Sequence, residues 1–285
     1  MADKSMVKQM DTAALELKLN LLKLCHQKLI HIGGDLSLAD IMTVLWQYAM
    51  NYDVKKPDWE ERDRFVLSKG HAAAVTSFSQ AAIGCYDEQD IFKEYATDYG
   101  RFGMHSCNLI NPYVDVSTGS LGLGLSVATG IATGLKAKGN TNSRVYVVMG
   151  DGEQHQGTIW EAAMLAPQFK LGNLVGIIDR NNFSFDGETE KIMALEPLAE
   201  KWRSFNWNVI EVDGHNVEEL IETFDALSPA AGDVPTLIIS KSIKGNGVSF
   251  MAANKGWHAG RIDSDLYEKA TNELKDAYSR KWGEQ

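Results

Sequence analysis

The sequence predicts an α/β fold, a mostly parallel sheet with helices on both faces, in a single domain over residues 1–285. Three observations carry that expectation. RFVLS at Arg64–Ser68, VYVVM at Val145–Met149 and LVGII at Leu174–Ile178 are short, β-branched apolar runs bounded by polar turn residues, the pattern of buried strands. Segments of helical pattern alternate with them, which favours parallel pairing. No Pro-, Gly- or Ser-rich linker interrupts the alternation, and the six prolines are scattered singly.

In chain order, Thr12–Ile30 places Leu17, Leu21 and Leu24 on one face of an amphipathic helix, which HIGGDLS then breaks. Ser37 is the expected cap of a second helix, Leu38–Met50. RFVLS follows as the first core strand, with Gly70 and His71 beyond its end, and a helix runs through Ala72–Ile83. Tyr99–Val116 is a loop-rich stretch long enough to be functional. Ser117 opens STGSLGLGLSVATGIATGLKAK, read as a Gly-punctuated helix. GTIWEAAMLAPQFKL is the crossover helix between VYVVM and LVGII. WNVIEVDG and TLIISKS add two strands around a helix at Val217–Leu227, and Asp265–Trp282 closes the chain as an amphipathic helix.

With 285 residues the chain can bury a large core. A formal charge of −10 argues against a nucleic-acid surface, which needs clustered Lys and Arg, and is better explained by solubility. Cys25, Cys85 and Cys107 are odd in number and lack metal or redox spacing, as expected of reduced thiols in a cytoplasmic protein. MADKSMVKQMD lacks the apolar centre of a signal peptide, and no uncharged run approaches the roughly 20 residues of a membrane span.

The most informative stretch holds MGDGEQHQG and IIDRNNFSFDG, with Asp151 and Asn181 thirty residues apart, each just past an apolar run. In a right-handed strand-helix-strand unit both strands end at the same sheet edge, so the two side chains can meet beside one ligand. Magnesium takes oxygen ligands and only one or two protein carboxylates, leaving other positions to phosphate and water. One Asp, one Asn oxygen and a loop carbonyl would suffice, while Gly150 and Gly152 let backbone approach a diphosphate. In STGSLGLG, Gly119, Gly122 and Gly124 remove side chains where backbone could pass beneath a flat ring, with Ser120 or Leu121 offering main-chain groups; close helix packing through small residues explains the same pattern. Of the seven histidines, His31, His71, His105 and His258 fall at strand ends or in loops. A lone loop histidine is more often a solvated side chain than a catalyst.

The spaced GDG and Asn resembles the thiamin diphosphate signature. From about Leu15 to His258 the chain resembles the N-terminal, diphosphate-binding half of transketolase, with SKGHAAA, STGSLGLGLSVATG and KGNGVSFMAANKGWHAG in the family's order. The resemblance implies a thiamin diphosphate-binding fold and transfer of a two-carbon ketol unit from a ketose to an aldose. It assigns metal ligation to Asp151, Asn181 and the Phe183 carbonyl, for magnesium or another divalent cation such as calcium or manganese. It assigns cofactor contact to His71, Gly119, Ser120, Leu121, Gly150, Asp151, Gly152, Glu153, Gln156, Asn181, Phe183, Phe185 and His258. It assigns the donor's third hydroxyl to His31, its first hydroxyl to His105, the reacting carbon to His71 and a shared role to His258, so that proton removal falls to His31 or His258. Gln156 departs from the family's usual Glu, which joins a proton network to the activating Glu of the pyrimidine-binding domain. That domain is implied to sit on a C-terminal partner subunit in a heterotetramer acting on sugar phosphates or related sugars, with neither nucleic acid nor membrane as partner. The alternatives are the alpha subunit of a thiamin-dependent 2-oxo-acid dehydrogenase, or a non-catalytic cofactor-binding subunit.

Overall fold

The apolar runs read as strands pair into one five-stranded, wholly parallel sheet in the computed structural model, which describes residues 2–283. The strands are β1 (Arg64–Leu67), β2 (Val145–Gly150), β3 (Leu174–Arg180), β4 (Asn208–Asp213) and β5 (Thr236–Lys241), in spatial order β1-β2-β3-β5-β4. The helices are α1 (Lys4–Gln27), α2 (Ile32–Val44), α3 (Ala73–Ala82), α4 (Glu88–Glu94), α5 (Leu123–Ala137), α6 (Gly157–Gln168), α7 (Thr189–Ile192), α8 (Leu198–Ser204), α9 (Val217–Asp225) and α10 (Ser264–Trp282). Alternate strand residues point to opposite faces. Phe65, Leu67, Tyr146 and Val148 pack against α1, α2, α3, α9 and α10, while Val66, Val145, Val147 and Met149 pack against α5, α6 and α8. The expected sandwich of a sheet between two helical layers is thus present.

Helix α1 begins at Lys4 rather than Thr12 and ends at Gln27 rather than Ile30, and two further differences from expectation concern glycine. Helix α2 begins at Ile32 rather than Leu38, so Gly33 and Gly34 lie inside it. A Cβ on Gly33 would overlap the Trp257 carbonyl oxygen, and one on Gly34 would sit 3.2 Å from Lys69 Nζ. These glycines admit close neighbours instead of ending a helix. Ser37, expected as a cap, is buried in the helix and donates to the Gly34 carbonyl at 3.1 Å and to Asp179 Oδ2 at 2.6 Å. At the C-terminal end of α2, Leu45–Ala49 winds as a π turn. Helix α5 likewise begins at Leu123, leaving 117–122 as loop, because its cap Gly122 adopts a left-handed φ of 89°.

Long-range pairing sets the approach to the sheet's edge. Ile30 and Gly260 exchange backbone hydrogen bonds of 3.1 and 3.0 Å, tying the segment before α2 to the segment after Trp257. His31 and His258 are neighbours for that reason. The 99–116 stretch carries no helix or strand, as expected. Asp115 fastens it to the start of β1, accepting from Arg62 Nη2 at 2.5 Å and from the Phe65 amide at 2.9 Å. No helix among the described residues is long and apolar enough to cross a membrane.

Candidate active site

All five strands end at one edge, and there β1, β2, β3 and β5 deliver polar residues to a cavity of about 460 Å³. Past β1 come Lys69 and His71; past β2, Asp151; past β3, Asn181; past β5, Lys244. Such a carboxyl-end crevice is where open α/β sheets bind ligands.

One wall is an oxygen wall. Asp151, 1 % exposed, accepts from the Gly152 amide at 2.7 Å through Oδ1 and from the Asn182 amide at 2.5 Å through Oδ2, with Arg180 Nη1 at 3.3 Å. Burial and the nearby Asp179 charge raise its carboxyl to about 6, against the pull of Arg180. Asn181 donates to Asp179 Oδ2 at 2.8 Å and accepts the Phe183 amide at 3.0 Å, which turns its oxygen toward the following loop. Beneath lies a fully buried ion pair, Lys69 Nζ to Asp179 Oδ2 at 2.6 Å, braced by hydroxyl donors Ser37 and Ser242. Burial would raise the Asp179 carboxyl, but the Lys69 ammonium holds it below the usual carboxylate range.

The facing wall is imidazole. The His31 ring lies 5.2 Å from His71, 5.4 Å from His258 and 6.1 Å from His105, and His71 lies 5.4 Å from His258. Phe185 sets its ring edge-on at 5.2 Å from His258. Burial first, then the neighbouring cations and imidazoles, push His31 down to about 4, His258 to about 3 and His71 to about 2. All three are therefore neutral at pH 7. His31 Nδ1 is buried without a hydrogen-bond partner. An orphaned polar atom in a cavity wall fits a ligand that brings a polar group.

The family profile described as "Transketolase, thiamine diphosphate binding domain" matches residues 18–281. The chain belongs to the transketolase family. One of the subunits of apulose-4-phosphate transketolase from Phocaeicola vulgatus is 40 % identical over 250 residues, 86 % of each chain. The 6-deoxy-6-sulfo-D-fructose transketolase subunit SqwG of a Clostridium species is 35 % identical, covering 86 % of this chain and 88 % of that protein. The crystal structure of transketolase from Campylobacter jejuni superposes with a TM-score of 0.84 at 26 % identity, over 96 % of this chain and 43 % of that one. The chain thus spans under half of that solved transketolase but most of the named subunits. It is a transketolase subunit of the N-terminal, cofactor-binding kind, and the dehydrogenase reading is not favoured.

Of the transketolase residues expected at the site, all but Ser120 line this one cavity. Ser120 is exposed outside it, because the turn into α5 directs Leu121 there instead. Among the glycines of STGSLGLG, only Gly119 opens onto the cavity, where a Cβ would meet His105 Cδ2 at 3.4 Å. A Cβ on Gly122 would sit 2.5 Å from Gln156 Cβ, and one on Gly124 would overlap Ser68, so packing explains these two. Glu153 borders the cavity, yet its carboxylate is engaged as a brace. Oε1 accepts from the Ser68 hydroxyl and from the Gly122 amide at 2.6 Å, and Oε2 accepts the Gly150 amide at 3.0 Å, tying three loop segments together. Gln156 is exposed at the rim.

Lys69, Asp179, Arg180 and Lys244 are charged residues of the site that lie within the quoted motifs but carry none of the roles assigned there. The apolar run LVGII ends at Ile178, but β3 continues to Arg180 and carries Asp179 and Arg180 into the site. Lys69 and Lys244 stand directly before Gly70 and Gly245 at strand ends, a placement that could have marked them. No group of three or more His, Cys, Asp or Glu that could hold a metal occurs among the described residues. A single carboxylate beside an amide oxygen is still compatible with magnesium, which keeps water and phosphate in most positions.

Proposed function

We propose that this chain binds magnesium and thiamin diphosphate in the strand-end cavity and completes its active site with a C-terminal partner subunit, in a heterotetramer, to transfer a two-carbon ketol unit from a ketose to an aldose. The observation that carries the reading is the convergence of Asp151, Asn181 and the histidines His31, His71, His105 and His258 on one cavity. The residues fit the cofactor. Asp151 is a buried carboxylate raised by burial and a neighbouring carboxylate, so a divalent cation relieves it. Lys69 and Lys244 supply positive charge toward a diphosphate, and Gly119 leaves room for a flat ring.

Thiamin diphosphate, when bound, supplies the nucleophilic carbon and the electron sink that let the bond between the second and third carbons of a ketose break. The chain's own residues bind, orient and move protons. Asp151, the Asn181 oxygen and the Phe183 carbonyl would hold the metal. His31, neutral and with Nδ1 unpartnered, can accept the proton of the donor's third hydroxyl. His105 and His71 face the same space to hold the first hydroxyl and the reacting carbon's oxygen. Phe185, 72 % exposed, would cover the cofactor from the rim once a partner closes on it.

The matched relatives are named for apulose 4-phosphate and 6-deoxy-6-sulfo-D-fructose, which supports a phosphosugar or sulfosugar donor of that specialised type alongside the common phosphopentoses. Three unpaired cysteines support a reducing, cytoplasmic setting. The test is reconstitution with candidate partner subunits and a ketol-transfer assay over phosphopentulose, apulose 4-phosphate and sulfofructose donors. Calorimetry should show weak magnesium-dependent cofactor binding by the isolated chain, with sustained transfer only after mixing. Sustained turnover by the homogeneous chain would overturn the split-site reading.

A further inference from the structure

Lys244 is 2 % exposed, and among the described residues no carboxylate pairs with it, in contrast to Lys69. Its side chain is nevertheless held firmly. The stem lies on α2, where a Cβ on Gly33 would approach Lys244 Cγ to 3.1 Å and Cε to 3.2 Å. On either side, the Gly245 amide donates to the Gly33 carbonyl at 2.9 Å and the Ala253 amide to the Lys244 carbonyl at 2.8 Å. The preceding amide, Ile243, donates to His215 Nε2 at 2.9 Å, and His215 Nδ1 in turn meets buried Asp40 at 2.8 Å. So fixed, Lys244 Nζ lies 3.0 Å from His258 Nδ1.

An ammonium has three donors and no acceptor. A ring nitrogen that receives one of them must present its lone pair, which leaves the single proton of a neutral imidazole on the other nitrogen. We propose that Lys244 is a positioning residue that locks His258 as the Nε2–H tautomer, making His258 a hydrogen-bond donor to a substrate oxygen and leaving proton acceptance to His31. The ionisation states agree, since burial and neighbouring Lys69 lower Lys244 only to about 8, while His258 is pushed to about 3. A donor at this place suits the ketose carbonyl oxygen, which gains negative charge when a nucleophile adds to its carbon. No proton moves through His258. The inference rests on the ketol-transfer reading for its catalytic meaning and on the Lys244 contact alone for its tautomer.

The tautomer is read directly in the cofactor-free chain by long-range proton–nitrogen correlation with labelled histidine. Wild type should show His258 protonated at Nε2, and Lys244→Met should give mixed tautomers with an imidazole easier to protonate. In the assembled enzyme Lys244→Met should lower kcat by about 10- to 100-fold, the size of effect that partners orienting metal-ligating histidines have. His258→Gln, whose amide places a donor near the Nε2 position, should keep far more activity than His258→Ala. A wild-type Nδ1–H tautomer, an unchanged tautomer in Lys244→Met, or a His258→Gln variant as impaired as His258→Ala would each overturn the assignment. If the wild-type assembly transfers no ketol unit while the tautomer signature holds, the functional reading fails and the lock stands.

Discussion

The wall carrying Asp151 and Asn181 comes from one strand-helix-strand unit, β2-α6-β3, whereas the facing wall gathers His31, His71, His105 and His258 from four separate segments. Their electrostatics differ as much as their origins. The oxygen wall is ionic and saturated, with Asp151 holding two backbone amides and Asp179 held by an ammonium and two hydroxyls. The imidazole wall holds three neutral rings, one of them with an unpartnered nitrogen. A saturated ionic wall is suited to holding a charged cofactor in one place. A neutral wall with unused lone pairs is suited to receiving and returning protons. If that division is right, substitutions on the two sides separate cofactor affinity from turnover.

The largest effect is expected from Asp151→Asn. The amide can replace only one of the two acceptor oxygens that meet the Gly152 and Asn182 amides, and it removes the carboxylate assigned to the metal. Magnesium-dependent cofactor affinity should fall by more than the roughly 100-fold that outer-shell changes reach, with the far-ultraviolet circular dichroism spectrum retained. Calorimetry on the assembled enzyme measures it, and unchanged affinity would place the metal elsewhere.

His31→Ala probes the opposite wall. His31 precedes α2 without a side-chain capping bond, so its loss leaves no backbone group stranded. Transfer in the assembled enzyme should drop by about 100- to 10,000-fold, the usual worth of general acid-base catalysis, while cofactor affinity changes little. A parallel loss of affinity would erase the division between the walls.

The division also accounts for what could be read from sequence. The oxygen wall was legible because strand pattern and right-handed crossover place Asp151 and Asn181 at one edge with no further information. The imidazole wall was not, since the Ile30–Gly260 pairing that joins its ends spans most of the chain and leaves no periodic trace. Only the family resemblance reached those histidines. The glycines misled in one direction: Gly33 and Gly34 read as helix breakers, but in the fold they admit Trp257 and Lys69. Asp179 and Arg180 were hidden because an apolar strand pattern gives no warning that its last residues carry buried charge, whereas Lys69 and Lys244 stand just beyond their strands, beside glycines that drew the attention instead.

A smaller effect concerns acid stability. A histidine whose folded value lies below its unfolded value of about 6.5 favours folding above that pH, and the contribution is lost as pH falls toward the folded value. His71, at about 2, has this sign. Asp35 and Asp151, raised by burial to about 7 and about 6, have the opposite one, favouring the folded chain as pH falls. The net slope is a difference of these terms, so the informative quantity is the change on substitution. Urea unfolding of the cofactor-free chain at pH 7.5 and 5.5 should show a smaller acid loss in His71→Gln than in wild type. Equal losses would mean that His71 is not held neutral by its surroundings.

Gln156→Glu is expected to change least in the isolated chain, and its informative effect appears only on assembly. Gln156 is exposed at the cavity rim, and its Cβ packs where Gly122 leaves space, so a carboxylate of nearly the same shape needs no repacking. Fold, stability and magnesium affinity of the unassembled chain should therefore stay close to wild type. In the assembled enzyme, the proposed partner surface would bring its activating Glu to this rim. Two carboxylates brought close tend to share one proton, raising one of the coupled pKa values. The pH profile of ketol transfer should then shift or gain a limb, with the added limb on the acid side if the shared proton must be lost for turnover. An unchanged profile and rate in the assembled variant would place Gln156 outside the proton network, and the division between a binding wall and a proton-handling wall would then end at the histidines, without extending across the subunit boundary.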